Sequence, residues 1–350
     1  MIKTENFQKA VELINKSGNI LITSHTRPDG DACGCIAAMC EALGTLGKNV
    51  TPLLLSPLPQ WYEFLFTEKP AVLDEDAQLD DLLAGRFGQF DLILIVDTNS
   101  HSQLVKFDDY LKQNDKPILV IDHHVTTDGL GAVELVDSDA AATGLIVLDL
   151  FDYAGWPVSG SIAQALFVTI ASDTGWFRLT NTNKRVYASC IRLVEVGANP
   201  SEIYHYLYQN FSYERFKLML RMLNSLELHF NGRYACVQLT QEDFEQTLAS
   251  YKDTENLIDE CKRIASVEVV ALFVEQEDGK IRCSMRSIGP INVCDTMSKF
   301  GGGGHAKAAA SPHSGSIEEV KNTINIALTE HLLEEDENCL IKLGVPSKKP

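Results

Sequence analysis

Ile118-Leu119-Val120-Ile121-Asp122-His123-His124 is a short apolar run that ends in one acid and two imidazoles. Two other runs share its form. Asn19-Ile20-Leu21-Ile22-Thr23-Ser24 leads into His25, with Arg27-Pro28-Asp29-Gly30-Asp31 just beyond, and Leu92-Ile93-Leu94-Ile95-Val96 ends in Asp97. Unbroken apolar runs of this length are typical of strands buried on both faces of a parallel sheet. In open α/β sheets, ligands sit beyond the carboxyl ends of the strands. The three runs therefore predict one shared crevice lined by their terminal acids and histidines.

Working outward, strand and helix alternate, which is the α/β signature. Helices are expected at 4–16, 32–46, 101–112, 140–154, 160–172 and 184–196, with further strands at 50–55 and 133–136. The helix after Asp31 is crowded with Ala, Gly and Cys, which allows close approach to the sheet. Gly197-Ala198-Asn199-Pro200 punctuates the chain, and 201–208 and 212–226 read as connecting helices. Beyond them, Asn231-Gly232 and Glu277-Asp278-Gly279 each sit between strand-like runs and mark hairpins. Helices are expected at 241–249, 254–263, 292–299 and 316–334, a turn at Gly301-Gly302-Gly303-Gly304-His305, and a basic tail at 344–350. The expected architecture is a parallel-sheet α/β catalytic domain with flanking helices at 1–197, a helical linker at 198–228, and a smaller α/β domain with a mixed sheet at 229–344. The active site is expected in the cleft between the domains.

The chain has 350 residues, enough for two cores, and a formal net charge of −18. Lys and Arg contacts to phosphate dominate general nucleic-acid affinity, so this acidity argues against tracking along long duplexes. It leaves room for a small anionic substrate held by a few cations. Nine cysteines include no C-x-x-C pair, and they read as reduced, mostly buried thiols. No secretory signal and no membrane-spanning stretch is read, so a cytoplasmic location is expected.

Two divalent metals about 3.5–4 Å apart need a bridging carboxylate and several further ligands. Asp97 is placed to bridge, His25 and Asp29 to complete one metal, and Asp31, His123 and Asp173 the other. Asp173 arrives in Ala171-Ser172-Asp173-Thr174-Gly175, just past an apolar helix. Imidazole together with carboxylate favours Mn²⁺ over Mg²⁺, with Mg²⁺ or Co²⁺ as substitutes. Such metals lower the pKa of a shared water and supply hydroxide for in-line attack on phosphorus. His124 is expected to point past them toward a phosphate oxygen or the leaving group. Taken singly, each motif also has a plain structural reading: Asp29-Gly30-Asp31 is a turn with Asp31 as helix N-cap, and Asp173-Thr174-Gly175 is a helix stop. The two-metal reading rests on the set.

In the second domain, four successive glycines allow close backbone approach, and their amides can form an anion-binding nest. His305 follows them. Arg286 ends a predicted strand, where a bidentate phosphate contact is expected. Gly302, Gly303, Gly304, Ser287 and Arg178 complete the candidate substrate-binding set. Trp176 reads as a core aromatic, with base stacking as the alternative.

The sequence resembles the DHH superfamily of phosphoesterases, in the subfamily with a DHHA1 domain. The resemblance is carried by Ser24-His25-Thr26-Arg27-Pro28-Asp29-Gly30-Asp31, Val96-Asp97-Thr98, Asp122-His123-His124, Ser172-Asp173-Thr174-Gly175, Ser284-Met285-Arg286-Ser287 and Gly301–His305. It implies Mn²⁺-dependent hydrolysis of phosphate esters, a supporting role for Asp122 behind the ligands, and nucleotide or phosphate binding by the smaller domain. Ala308-Ala309-Ala310-Ser311 departs from the Ala-Ala-Gly or Ala-Ser-Gly often seen there. The expected activity is hydrolysis of very short single-stranded RNA to mononucleotides and of 3'-phosphoadenosine-5'-phosphate to AMP. The alternatives are a phosphodiesterase for cyclic di-AMP or linear pApA or pGpG, and a catalytically silent nucleotide-binding regulator. A homodimer is compatible with the sequence, which does not specify the oligomeric state.

Overall fold

The computed structural model describes residues 2–328. The expected tail at 344–350, Cys339 and the end of the 316–334 helix lie outside the described residues. The chain divides into two units, Met1–Asn210 and a second beginning at Phe211.

In the first unit β1 (Asn19–Thr23), β2 (Asn49–Leu54), β3 (Ala71–Val72), β4 (Leu92–Val96), β5 (Ile118–Asp122) and β6 (Val133–Val136) form one sheet. Its order is β3-β2-β1-β4-β5-β6 and every pairing is parallel. Successive side chains on a strand point to opposite faces. Ile20, Ile22, Leu92, Leu94 and Ile121 therefore enter one core, while Leu21, Ile93, Ile95 and Val120 enter another on the reverse side. This is why the central runs are apolar throughout instead of alternating.

The helices are α1 (Thr4–Lys16), α2 (Gly30–Thr45), α3 (Leu79–Leu83), α4 (Phe107–Gln113), α5 (Thr143–Ala154), α6 (Gly160–Asp173), α7 (Lys184–Val196) and α8 (Pro200–Tyr208). α1, α2, α5 and α6 cover one face of the sheet, and α3 and α4 cover the other. α2 lies deepest and packs along α6. A Cβ on Gly34 would stand 2.5 Å from Thr169 Cγ2 and 2.6 Å from the Ala165 carbonyl oxygen, so that contact requires a residue without a side chain. The helix expected at 101–112 is split. A 3-10 turn at His101–Gln103 precedes α4, and Val105 between them has φ +48°.

The second unit contains α9 (Tyr213–Asn224), β7 (Glu227–His229), β8 (Tyr234–Leu239), α10 (Gln241–Thr247), β9 (Val269–Glu275), β10 (Ile281–Ser287), α11 (Val293–Ser298), β11 (Gly303–His305) and β12 (Ala308–His313), with 317–328 helical. Its mixed sheet has the order β11-β12-β10-β9-β8-β7, in which only β8–β9 is parallel. Two expectations are corrected here. The helix expected at 254–263 is a pair of 3-10 turns, Tyr251–Thr254 and Leu257–Arg263, broken at Asn256 where φ is +60°. The glycine run is largely strand: Gly303–His305 pairs antiparallel with Ala308–Ala310. Three alanines carry none of the β-branched signal that marks most strands, so β12 left no trace in the pattern. Of the stretch expected as a linker, α8 belongs to the first unit and α9 to the second. None of the described helices is long and apolar enough to cross a membrane.

Candidate active site

β1 and β4 are neighbours although β2 and β3 lie between them in sequence, so the strand order reverses at this pair. A crevice opens beyond the strand ends at such a switch point. β1 leads to His25 and β4 to Asp97. Asp97 adopts φ +62°, a left-handed conformation costly for a residue with a Cβ. Its N–H still donates to the Ile121 carbonyl at 2.9 Å, so the chain turns at once after the last sheet bond.

The Asp97 carboxylate faces two histidines. Oδ2 lies 3.4 Å from His25 Nε2, and Oδ1 lies 3.7 Å from His123 Nε2. Each imidazole is oriented from behind. His25 Nδ1 donates to the Thr26 carbonyl at 2.9 Å and His123 Nδ1 to the Ala140 carbonyl at 3.1 Å. A carbonyl only accepts, so in both rings Nδ1 carries a proton and Nε2 is the nitrogen that faces the crevice. His123 Nε2 also lies 3.1 Å from Asp173 Oδ2, at the end of α6, and 3.8 Å from Asp31 Oδ2.

Asp29, not Asp31, caps α2: its Oδ1 accepts from the Asp31 and Ala32 N–H groups at 3.0 and 3.1 Å. Asp31, two residues on in the first turn of α2, is fully buried. It accepts from the amides of Thr143 at 2.5 Å and Gly144 at 3.0 Å, the first residues of α5, whose positive end favours the charge. The Thr143 hydroxyl donates to Asp97 Oδ1 at 2.9 Å. Thr143 and Gly144 were not among the expected site residues. The one signal for them was a helix start at Ala142-Thr143-Gly144, and only the fold shows that it is aimed at two acids. His124 Nδ1 donates to Asp122 Oδ1 at 2.7 Å, and its ring is half-exposed at the mouth of the crevice.

Burial, followed by the charges of Asp97 and Asp173, pushes the Asp31 carboxyl well above the usual range. Burial, then Asp29 and Asp173, does the same to Asp97, and burial raises Asp173 against the hydrogen bond from His123. Burial opposes charge on His123, but Asp173 and Asp31 outweigh it and raise the imidazole to about 9. Three sets of donors each lie within 4.8 Å of one another: His25, Asp29 and Asp97; Asp31, His123 and Asp173; Asp97, His123 and His124. A concentration of buried carboxyls that repel one another, with imidazole Nε2 atoms turned toward them, fits divalent cations.

Residues 19–170 match the DHH family, N-terminal domain, and residues 231–330 match the DHHA1 domain. The chain belongs to the DHH family with a DHHA1 domain. It is a phosphoesterase, as members of that family are. Among curated relatives, the bifunctional oligoribonuclease and PAP phosphatase of Thermus thermophilus is 27% identical, over 93% of this chain and 92% of that protein. The protein of the same name from Bacillus subtilis is 24% identical, over 86% and 91%. An exopolyphosphatase-related protein from Bacteroides fragilis shares the fold, with TM-score 0.87, 22% identity and coverage of 95% and 97%.

In the DHHA1 domain, the alternation along β10 sends Arg286 and Ser287 to opposite faces. Arg286 keeps 28% of its side chain exposed, with Nε 3.8 Å from Asp259 Oδ1. Ser287 is buried, and its hydroxyl donates to the Gly289 carbonyl at 3.2 Å. Gly302 and Gly304 are accounted for by the neighbouring strand: a Cβ would stand 2.2 Å from the Ala310 oxygen and 2.4 Å from the Ala308 oxygen, respectively. Around Gly303 there is open space. His305 closes β11, and its side chain lies outside what is described. In the DHH domain, Arg178 is exposed and donates through Nε to the Gly175 carbonyl at 2.7 Å. Trp176 packs its ring against Phe167, Phe177, Tyr204 and Tyr208.

Proposed function

We propose that this chain cuts very short single-stranded RNAs to mononucleotides and removes the 3'-phosphate of 3'-phosphoadenosine-5'-phosphate, with two Mn²⁺ held at the crevice. The observation that carries the reading is Asp97, whose two carboxylate oxygens face different histidines as a bridging ligand requires. His25 and Asp29 would share one cation with it, and Asp31, His123 and Asp173 the other. Mixed imidazole and carboxylate donors suit Mn²⁺. When bound, such a pair supplies a hydroxide near neutral pH and offsets phosphoryl charge.

The chain's own residues do the rest. The α5 amides hold the Asp31 carboxyl in place. Because His124 spends its Nδ1 proton on Asp122, only Nε2 can meet the substrate. A proton there donates to a phosphoryl oxygen or to the departing oxygen. In the DHHA1 domain, Arg286 and the backbone at Gly302, Gly303, Gly304 and His305 are proposed to take the substrate's phosphate end; in the DHH domain, Arg178 is proposed as a substrate-binding cation. The buried, hydrogen-bonded hydroxyl of Ser287 would have to change partners to join them. The catalytic portion is proposed as 1–197 and the substrate-binding portion as 229–344. The near full-length match to the oligoribonuclease and PAP phosphatase relatives supports the choice of substrates.

The test is a Mn²⁺ time course on an RNA trimer and on 3'-phosphoadenosine-5'-phosphate, with products resolved by chromatography. Both should be consumed, and EDTA should stop both. Consumption of pApA, pGpG or cyclic di-AMP alone would move the reading to dinucleotide turnover. Tight Mn²⁺-dependent nucleotide binding without turnover would make the chain a regulator.

A further inference from the structure

Away from the crevice, the hairpin of β7 and β8 gathers a different donor set. Its register places Glu227 opposite Cys236 and His229 opposite Tyr234. Residues two apart on a strand share a face, so all four side chains line one side of the sheet. Among the described residues, Glu227, His229 and Cys236 offer a carboxylate, an imidazole and a thiol whose ligand atoms all lie within 4.8 Å of one another. Tyr234 and Cys236 are fully buried, and the Tyr234 hydroxyl lies beside the Cys236 thiol without a hydrogen bond of good geometry. Glu227 and His229 keep 48% and 34% of their side chains exposed, although His229 Nε2 itself is buried.

Lys321, buried on the 317–328 helix, accounts for half of the Glu227 carboxylate. Its Nζ donates to Oε1 at 2.8 Å. The other oxygen, Oε2, lies 3.4 Å from His229 Nε2, a buried nitrogen that makes no hydrogen bond. A salt bridge alone explains Lys321 and Oε1. It does not explain why a thiol, an imidazole nitrogen and the second carboxylate oxygen converge beside it.

We propose that Cys236, His229 and Glu227 form a zinc site that is separate from the catalytic crevice and independent of the substrate assigned to it. One thiolate, one imidazole and one carboxylate are a zinc donor set, and thiolate disfavours Mn²⁺ and Mg²⁺. Binding releases the Cys236 thiol proton to solvent, and the Glu227–Lys321 contact orients the carboxylate from behind. Because β7 is a three-residue edge strand, the ion would pin it to β8 and serve a structural role.

The experiment uses the full chain, stripped with chelator and titrated with Co²⁺ alone. Thiolate bound to Co²⁺ gives a near-ultraviolet charge-transfer band, which imidazole and carboxylate ligands do not. The band should saturate at one thiolate-bound Co²⁺ per chain, disappear on adding Zn²⁺, survive Asp97→Ala and vanish in Cys236→Ser. Metal analysis after dialysis against Zn²⁺ should show one zinc fewer in Cys236→Ser than in the parent. Glu227→Gln and His229→Ala alter half-exposed side chains, and each should weaken Zn²⁺ binding by about tenfold or more. No band in the parent would overturn the proposal. So would a band that persists in Cys236→Ser, because the thiols near Asp31 would then be its source, or unchanged Zn²⁺ binding in both Glu227→Gln and His229→Ala.

Discussion

His124 Nδ1 lies 2.7 Å from Asp122 Oδ1, and Asp122 is fully buried with its other oxygen in no hydrogen bond. The same Oδ1 also accepts the His124 N–H at 3.2 Å. The carboxylate therefore serves one residue, fixing both the ring and its tautomer. Asp122→Asn keeps the shape but weakens that hold. The expected result is a fall in kcat of about 10–100-fold with KM little changed, the range for loss of an orienting partner. Metal content should stay at the parent value. An equal fall in Asp122→Asn and in metal content would mean that Asp122 acts on the cations instead.

Asp97→Ala should abolish turnover of every substrate, because both proposed cation sites lose a ligand. The same residue costs the fold stability when no cation offsets its charge: it is buried, left-handed and surrounded by other carboxyls. Asp97→Asn should therefore raise the Tm of chelator-treated protein while removing the increase that Mn²⁺ gives the parent. Calorimetry with and without Mn²⁺ separates the two effects. A lower Tm in both conditions would show that the Asp97 charge stabilises the fold.

The crevice also sets a pH dependence. Asp31, Asp97 and Asp173 are raised, so the native state binds more protons than the unfolded chain above the ordinary carboxyl value of about 4. Stability falls as pH rises through their folded values. His123, raised to about 9, adds stability that is fully present below about 6.5 and lost as pH passes its folded value. Both contributions have the same sign. Chelator-treated protein should lose Tm steadily from about pH 6 to about pH 9, and the increase from Mn²⁺ should grow over that range. A flat profile would show that the carboxyls are screened from one another without metal.

Much of this site was legible because parallel strands buried on both faces are apolar throughout and end abruptly in acids and histidines. Ile118–Asp122 and Leu92–Val96 announced themselves as strands and, by the switch-point rule, announced where their last residues would face. What stayed hidden depended on contacts distant in sequence. Thr143 reaches Asp31 and Asp97 across 112 and 46 residues, and nothing local to Thr143 encodes that. The 3-10 turns near Asn256 and the alanine strand β12 were obscured for the opposite reason: tertiary pairing overrode a local pattern that read as helix or as nothing.

Packing of α2 on α6 supports the crevice from below, and two glycines of α2 separate the effects of space and propensity. Alanine in place of glycine inside a helix gains up to about 1 kcal/mol from propensity alone. Gly44 has open space around it, so Gly44→Ala should be stabilising by that order. At Gly34 the new Cβ meets the Ala165 carbonyl and Thr169, and overpacking against backbone costs about 1–3 kcal/mol. Gly34→Ala should lower Tm while Gly44→Ala raises it, as followed by thermal unfolding. Equal behaviour of the two would mean that α2 and α6 separate easily.

Arg286 tests the DHHA1 half of the proposal. Its guanidinium is part-exposed on β10, loosely paired with Asp259 at 3.8 Å, and so available to an anion without breaking a tight ion pair. A charge-assisted contact to phosphate is worth about 1.5–3 kcal/mol, roughly a 10–150-fold effect. Arg286→Ala should raise KM by that order and shift the preference between the RNA trimer and 3'-phosphoadenosine-5'-phosphate, because the trimer presents singly charged phosphodiesters and the bisphosphate presents more highly charged phosphomonoesters. Mn²⁺ uptake should not change, since no proposed ligand is touched. Arg286→Lys keeps the charge but not the forked geometry, so it should recover part of the KM and little of the preference. An unchanged KM and preference in Arg286→Ala would remove this residue from the substrate site and leave the glycine-rich strand to carry binding there.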